Sequence, residues 1–164
     1  ETMIMLLEDV IESLYERGIR QFILLNGHIW NNSSLDISAE KLRVRHRDAR
    51  VRALGYVTMY PGPEIDGHVR YGRALMHANY FETSVMLHLF PRLVRMERAT
   101  SHRDVDSFWD YRMDQVSETG VWGRDVAAAT ADHGRAEFER CVRTTARAAA
   151  AAVRESWPDS THRP

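Results

Sequence analysis

The sequence predicts an α/β domain with helices packed on a mostly parallel sheet. Three observations carry this. Met3, Leu6, Leu7, Val10, Ile11 and Leu14 recur at a 3.6-residue period, the pattern of an amphipathic helix. Gly18 then fits the left-handed stop after a helix. Ile19 to Leu25 follows as a short apolar run, the length of a strand buried on both faces. Helix, stop and strand make one step of a parallel α/β sheet.

In the first helix Thr2 is expected to cap the start, with Glu8, Asp9, Glu12 and Glu16 mainly on a solvated face. The strand runs into Asn26-Gly27-His28, where Gly27 allows a sharp turn. His28 therefore sits just past a strand end, where open α/β sheets bind ligands. A neutral imidazole there can ligate a metal or move a proton. A histidine that only hydrogen-bonds its own loop fits the same place.

The polar cluster Asn31 to Ser34 starts a second helix with Leu35, Ile37, Leu42 and Val44 as a loose apolar stripe. Arg43, Arg45, His46, Arg47, Arg50 and Arg52 face only Asp48, and such a run reads as a solvated face. Ala53 to Tyr60 is β-branched and aromatic and reads as a second strand, ended by Pro61-Gly62-Pro63. The polar loop from Glu64 to Met76 holds Asp66, His68, Arg70, Tyr71 and Arg73. It suits a substrate-gripping loop or an ordinary surface connection equally.

From Asn79 the spacing of Phe81, Val85, Met86, Leu89 and Phe90 predicts a helix that Pro91 ends, with His88 as an ordinary structural histidine. Leu93 to Met96 reads as a short edge element. Ala99 to Glu118 reads as a long loop or interface arm carrying Phe108, Trp109 and Tyr111. Asp125 is expected to cap a last helix running to about Trp157, with the alanine run Ala146 to Ala152 favouring it. One domain spans 1–158, and a polar tail spans 159–164.

The bulk numbers exclude several classes. The chain has 164 residues, 44% hydrophobic and 27% charged, which is ordinary for a globular protein with a core. With 22 basic and 23 acidic residues it lacks the basic excess of a nucleic-acid binder. No apolar run is long enough to span a membrane, and no signal-peptide pattern is visible. Cys141 is the single cysteine, so nothing calls for an oxidising compartment and the cytoplasm is the expected location.

Three motifs occur in order: Leu25-Asn26-Gly27-His28 with Asn31; His77-Ala78 with Glu82-Thr83-Ser84; and Thr119-Gly120-Val121-Trp122-Gly123 leading into Ala129-Thr130-Ala131-Asp132-His133-Gly134. Together they resemble the creatininase (creatinine amidohydrolase) family over nearly the whole chain. The resemblance implies a three-layer αβα fold, of which this is the C-terminal part. It implies hydrolysis of a C–N bond in an amide, cyclic amide or formamide by metal-activated water. It also implies a divalent metal, zinc or manganese with iron as a further choice, in a two-metal site, and a homo-oligomer, a hexamer in the family.

Position by position, His28 matches the family's metal-binding histidine. His77 matches a proton-handling residue at the substrate. Glu82 matches a site carboxylate that is a ligand or positions one. Trp30, Asn31 and Tyr80 fall where substrate contacts are expected, and Asn26 and Asn31 where the loop is fixed. Two departures stand out. Trp30 occupies the place of a metal-binding glutamate in creatininase itself, and Asn79 replaces the usual glycine after His-Ala. The opening Glu1-Thr2 resembles a pair that begins a helix well inside family chains, so an upstream segment with further ligands, a Glu-x-His pair and an Asp, is expected. Two other readings compete: a degenerate family member acting as a partner subunit or binding module, and an unrelated doubly wound domain with chance motifs.

The chemistry asks for these residue types. An amide needs an activated water, charge stabilisation on its oxygen and a proton for the leaving nitrogen. A divalent metal supplies the first two, and a His or Glu the third.

Overall fold

The computed structural model describes residues 1–55, 77–100, 111–123 and 125–156, with Ile29 by its backbone alone. They fall into two compact units, Glu1–Met59 with Arg143–Pro164, and Tyr60–Val142. The expected loop at 64–76, the far half of the second expected strand and the segment 101–110 lie outside the described residues.

The first unit begins with α1 (Thr2–Glu16), β1 (Gln21–Asn26), α2 (Asn32–Arg45) and β2 (Arg50–Gly55). β1 and β2 pair in parallel, from Gln21 opposite Arg50 to Asn26 opposite Gly55. Parallel neighbours need a crossover, and α2 supplies it. α2 buries Leu35, Ser38, Ala39 and Leu42, one face at i, i+3, i+4 and i+7. Ile37 and Val44, expected on that stripe, are exposed.

The core of this unit joins Ile11, Phe22, Ala39, Leu42, Ala49 and Val51, with Tyr15 and Leu24 packed against it. Strand side chains alternate between faces. Leu25 therefore points away from this core and is 62% exposed, so β1 is not buried on both faces among the described residues. Arg50 and Arg52 alternate with Val51 and serve the opposite face. Arg50 donates to the Ala152 carbonyl at 2.9 Å, and both arginines pair with Glu155, at the end of the helix Ala131–Arg154. Helical layers thus meet both faces of a parallel pair, the αβα arrangement.

α1 turns a mixed face inward: Ile11 enters the core as its sequence pattern predicts, but part of the apolar stripe does not. Glu8 is buried, while Leu6 and Val10 are 61% and 50% exposed. The reason lies in α2, which presents Lys41, Arg45 and His46 towards it. Glu8 pairs with Lys41 and Arg45, and Glu12 with Arg45 and His46. The Lys41 hydrogen bond holds the Glu8 carboxyl below the usual carboxylate range, and that of Arg45 does the same for Glu12. Asp48 accepts from the Tyr15 hydroxyl at 2.6 Å and from Arg20 at 2.8 Å, which lowers its pKa. The His46 ring stacks on Tyr15 at 3.8 Å. The basic run is thus largely an intrachain pairing surface rather than a bare solvated face. Thr2 is the first helical residue, not the cap, and Glu1 at the cap position makes no side-chain bond. Gly18 does take the left-handed stop, at φ +92°.

The second unit holds α3 (Tyr80–Leu89), α4 (Met113–Val116) and the first half of α5 (Ala131–Arg154). Pro91 stops α3 and opens a 3₁₀ turn, Pro91–Leu93, followed by another at Met96–Arg98. These replace the expected edge element, and α4 occupies part of the expected loop arm. Asp125, at φ +51°, precedes a 3₁₀ turn at Val126–Ala128 instead of capping the last helix. His88 is half-buried, with its ring 6.1 Å from Phe138.

Gly134 sets the distance between α5 and α3. A Cβ there would lie 1.8 Å from the Ser84 carbonyl oxygen, so only glycine permits this backbone contact. Ser84 is fully buried, and its hydroxyl accepts from the Thr130 N–H at 3.2 Å.

Candidate active site

His28 follows β1 directly, and its loop is organised by one amide. Asn26 is 5% exposed. Its Oδ1 accepts from the His28 N–H at 3.1 Å, and its Nδ2 donates to the His28 carbonyl at 2.8 Å and to Asn32. Asn31 adds a backbone N–H to the same carbonyl at 3.0 Å. The loop backbone is thereby satisfied without the imidazole, which is left exposed. Trp30 is 53% exposed and Asn31 half-buried in the same short turn.

The second cluster surrounds the start of α3. Asn79 is its cap, with Oδ1 accepting from the Glu82 N–H at 2.9 Å. This is what the departure from glycine provides: a side-chain acceptor for the first turn. Glu82 reaches back to the Ala78 N–H at 2.8 Å, and the Thr83 hydroxyl donates to the Ala78 carbonyl at 3.2 Å. Both sides of Ala78 are thus gripped, which holds it at φ +53°, where a residue with a Cβ is strained by about 1–2 kcal/mol. A strained residue held beside a candidate base is the kind of feature that marks a working site.

His77 is exposed at its side chain but fixed at both ends. Its Nδ1 lies 2.6 Å from the Gly120 carbonyl, and its own carbonyl accepts from the Trp122 N–H at 2.6 Å. Tyr80 is half-buried, with its ring 4.6 Å from that of His133. A cleft of about 500 Å³ in this unit is lined by Thr83, Val94, Met96, Thr119, Val121 and Val126, among others.

His28, Trp30 and Asn31 thus belong to the first unit, and His77, Tyr80 and Glu82 to the second. Imidazole and carboxylate donors suit a divalent metal such as zinc or manganese. Among the described residues, however, no three His, Cys, Asp or Glu side chains gather closely enough to hold one. The donor types fit; their number falls short of the three protein ligands of a catalytic zinc. Burial pushes the thiol pKa of the half-buried Cys141 up. The roles of Gly120 and Trp122 against His77 were not visible in their motif, because a backbone partner has no side-chain signature.

Parallel strands flanked by helices, with an imidazole just past a strand end, define an open-sheet αβα protein. A family model described as creatinine amidohydrolase matches residues 1–149. The creatinine amidohydrolase of Pseudomonas putida is 30% identical over 166 residues, covering 92% of this chain and 61% of that protein. The mycofactocin precursor peptide peptidase of Mycobacterium tuberculosis is 34% identical over 139 residues, covering 78% of this chain and 49% of that one. A crystal structure of creatinine amidohydrolase superimposes with a TM-score of 0.72 at 26% identity, covering 94% of this chain and 64% of that one. A manganese creatininase matches with a TM-score of 0.67 at 28% identity, over 90% of this chain and 62% of that one. A mutant of the Zn-Zn type gives 0.66 at 28%, with the same coverages. The chain belongs to the creatininase family, and it spans about half to two thirds of the length of these relatives.

Proposed function

We propose that this chain forms part of a metal-dependent amidohydrolase that cleaves a C–N bond in a small amide, cyclic amide or formamide. The observation that carries it is the polar knot before α3, in a creatininase-family chain: Glu82 grips the Ala78 amide next to His77. A relative named as a peptidase extends the substrate class to a peptide bond in a modified precursor.

In this reading His77 handles the proton and His28 is a metal ligand. Glu82 uses one oxygen as the clasp on Ala78 and contributes as a ligand or as the group that positions one. Trp30, Asn31 and Tyr80 contact substrate. A bound divalent metal, zinc or manganese as in the matched structures, would polarise the amide carbonyl and make water a better nucleophile. In a two-metal site the remaining ligands come from residues other than these three. The protein works as a cytoplasmic homo-oligomer, and among the described residues no helix is long and apolar enough to cross a membrane.

The test uses the full-length protein. His28→Ala should lower bound metal, and His77→Ala should cut amide turnover by about 10²–10⁴-fold with metal content retained. Glu82→Ala should reduce turnover. A second reading, a partner subunit without hydrolytic activity, is favoured by the indole of Trp30 where creatininase has a ligand. It requires that none of the three substitutions alters metal content or turnover.

A further inference from the structure

We propose that Gly120 is a positioning residue for His77: its carbonyl fixes the ring in the tautomer with hydrogen on Nδ1 and the lone pair on Nε2. The inference rests on the proton-handling role given to His77 above. A carbonyl oxygen has no hydrogen to offer, so across 2.6 Å the Nδ1 nitrogen must be the donor. A neutral imidazole carries one N–H, which leaves Nε2 as the acceptor. His77 would therefore take a proton through Nε2 only, the nitrogen away from the Gly120 contact.

The local backbone is built for this. Gly120 has φ +74°, in the left-handed region. A Cβ there would meet nothing within 4 Å, so crowding does not demand glycine. The dihedral does, because the conformation that turns this carbonyl towards His77 is strained for any other residue. The flanking residues hold the turn in place. The Trp122 N–H donates to the His77 carbonyl, and Trp122 is 4% exposed. The Ser117 hydroxyl donates to the Val121 carbonyl at 2.7 Å. Backbone and ring of His77 are thus clamped by the one stretch Ser117 to Trp122, Gly120 holding the ring and Trp122 the chain.

The tautomer can be read without any substrate, so a lack of hydrolase activity and a wrong tautomer are separate results. The chain is labelled with ¹⁵N-histidine, and ¹H–¹⁵N multiple-bond spectra are recorded at a pH where the imidazoles are neutral. His77 is assigned by the signal lost in His77→Asn. The expected pattern is a protonated Nδ1 and an unprotonated Nε2. Gly120→Ala should move His77 towards the Nε2–H tautomer that free imidazole side chains favour. Gly18→Ala, at a similarly left-handed position with φ +92°, should leave the His77 pattern unchanged. A wild-type Nε2–H tautomer, or a folded Gly120→Ala protein that keeps Nδ1–H unaltered, overturns the proposal. If Gly120→Ala does not fold, two substitutions at His77 decide. Asn places an amide donor near the Nδ1 position and should keep the melting temperature, whereas Gln places it near Nε2 and should lower it. Equal melting temperatures for the two overturn the assignment.

Discussion

Gly134→Ala separates two opposite expectations for one methyl group. Helix propensity alone favours alanine over glycine by about 1 kcal/mol in a helix. Tertiary packing says the reverse. The added Cβ would stand 1.8 Å from the Ser84 oxygen, 2.3 Å from its carbonyl carbon and 2.8 Å from the Val85 nitrogen. All three are backbone atoms, so no side-chain rotation relieves the contact. α3 and α5 must part by more than an ångström, and the buried bond from the Thr130 N–H to the Ser84 hydroxyl stretches with them. Overpacking of this kind costs about 3 kcal/mol, the top of its usual range. After the propensity gain, a net loss of about 2 kcal/mol remains. For a chain of this size that lowers Tm by roughly 4–8 °C. Thermal unfolding followed by circular dichroism measures it directly. A Tm equal to or above that of the wild type would refute the close approach of the two helices at Gly134.

Three further outcomes follow from the same contacts. Asn26→Ala removes the amide that serves both the N–H and the carbonyl of His28; it should cost about 2 kcal/mol in urea unfolding and speed hydrogen exchange at the His28 amide. Ala78→Gly relieves the left-handed strain of about 1–2 kcal/mol but adds about 0.4–1 kcal/mol of unfolded-state entropy. A denaturant midpoint at or slightly above wild type is expected, and a clear fall would show that Ala78 is not strained. The pH dependence has a definite sign. Glu8, Glu12 and Asp48 have folded pKa values below their unfolded ones, so their contribution is complete above the ordinary carboxylate range of about 4 and is lost as pH falls through the lower folded values. Urea midpoints from neutral pH down to about 3 should drop in that window, less so in high salt, and a flat profile would contradict the pairing of α1 with α2.

Much of the candidate site was readable in sequence as position but not as partner. Asn-Gly-His after a strand placed His28 correctly, because a glycine turn after a short apolar run is a local event. The helix beginning at Asn79 was equally local, although the capping bond from the Glu82 N–H to the Asn79 side chain emerged only in the structure. The contact between His77 and Gly120 joins residues 43 apart through a carbonyl that every residue possesses, so no residue type announces it.

The sequence by itself determined the family, through three motifs in order, and the helix–strand step, the Gly18 stop and the Pro91 break, which each depend on backbone chemistry within a few residues. The tertiary structure alone decided which face of α1 turns inward. Periodicity marks an apolar stripe and an acidic stripe, yet Ile11 of the first and Glu8 of the second are both buried, because the neighbouring helix offers partners to each. α2 offers Lys41, Arg45 and His46 to Glu8 and Glu12 across 33 to 37 residues of chain, and those ion pairs bring the carboxylates in while Leu6 and Val10 stay out. The need for glycine at 134 was settled the same way. A helix accepts alanine there; a second helix lying against it does not.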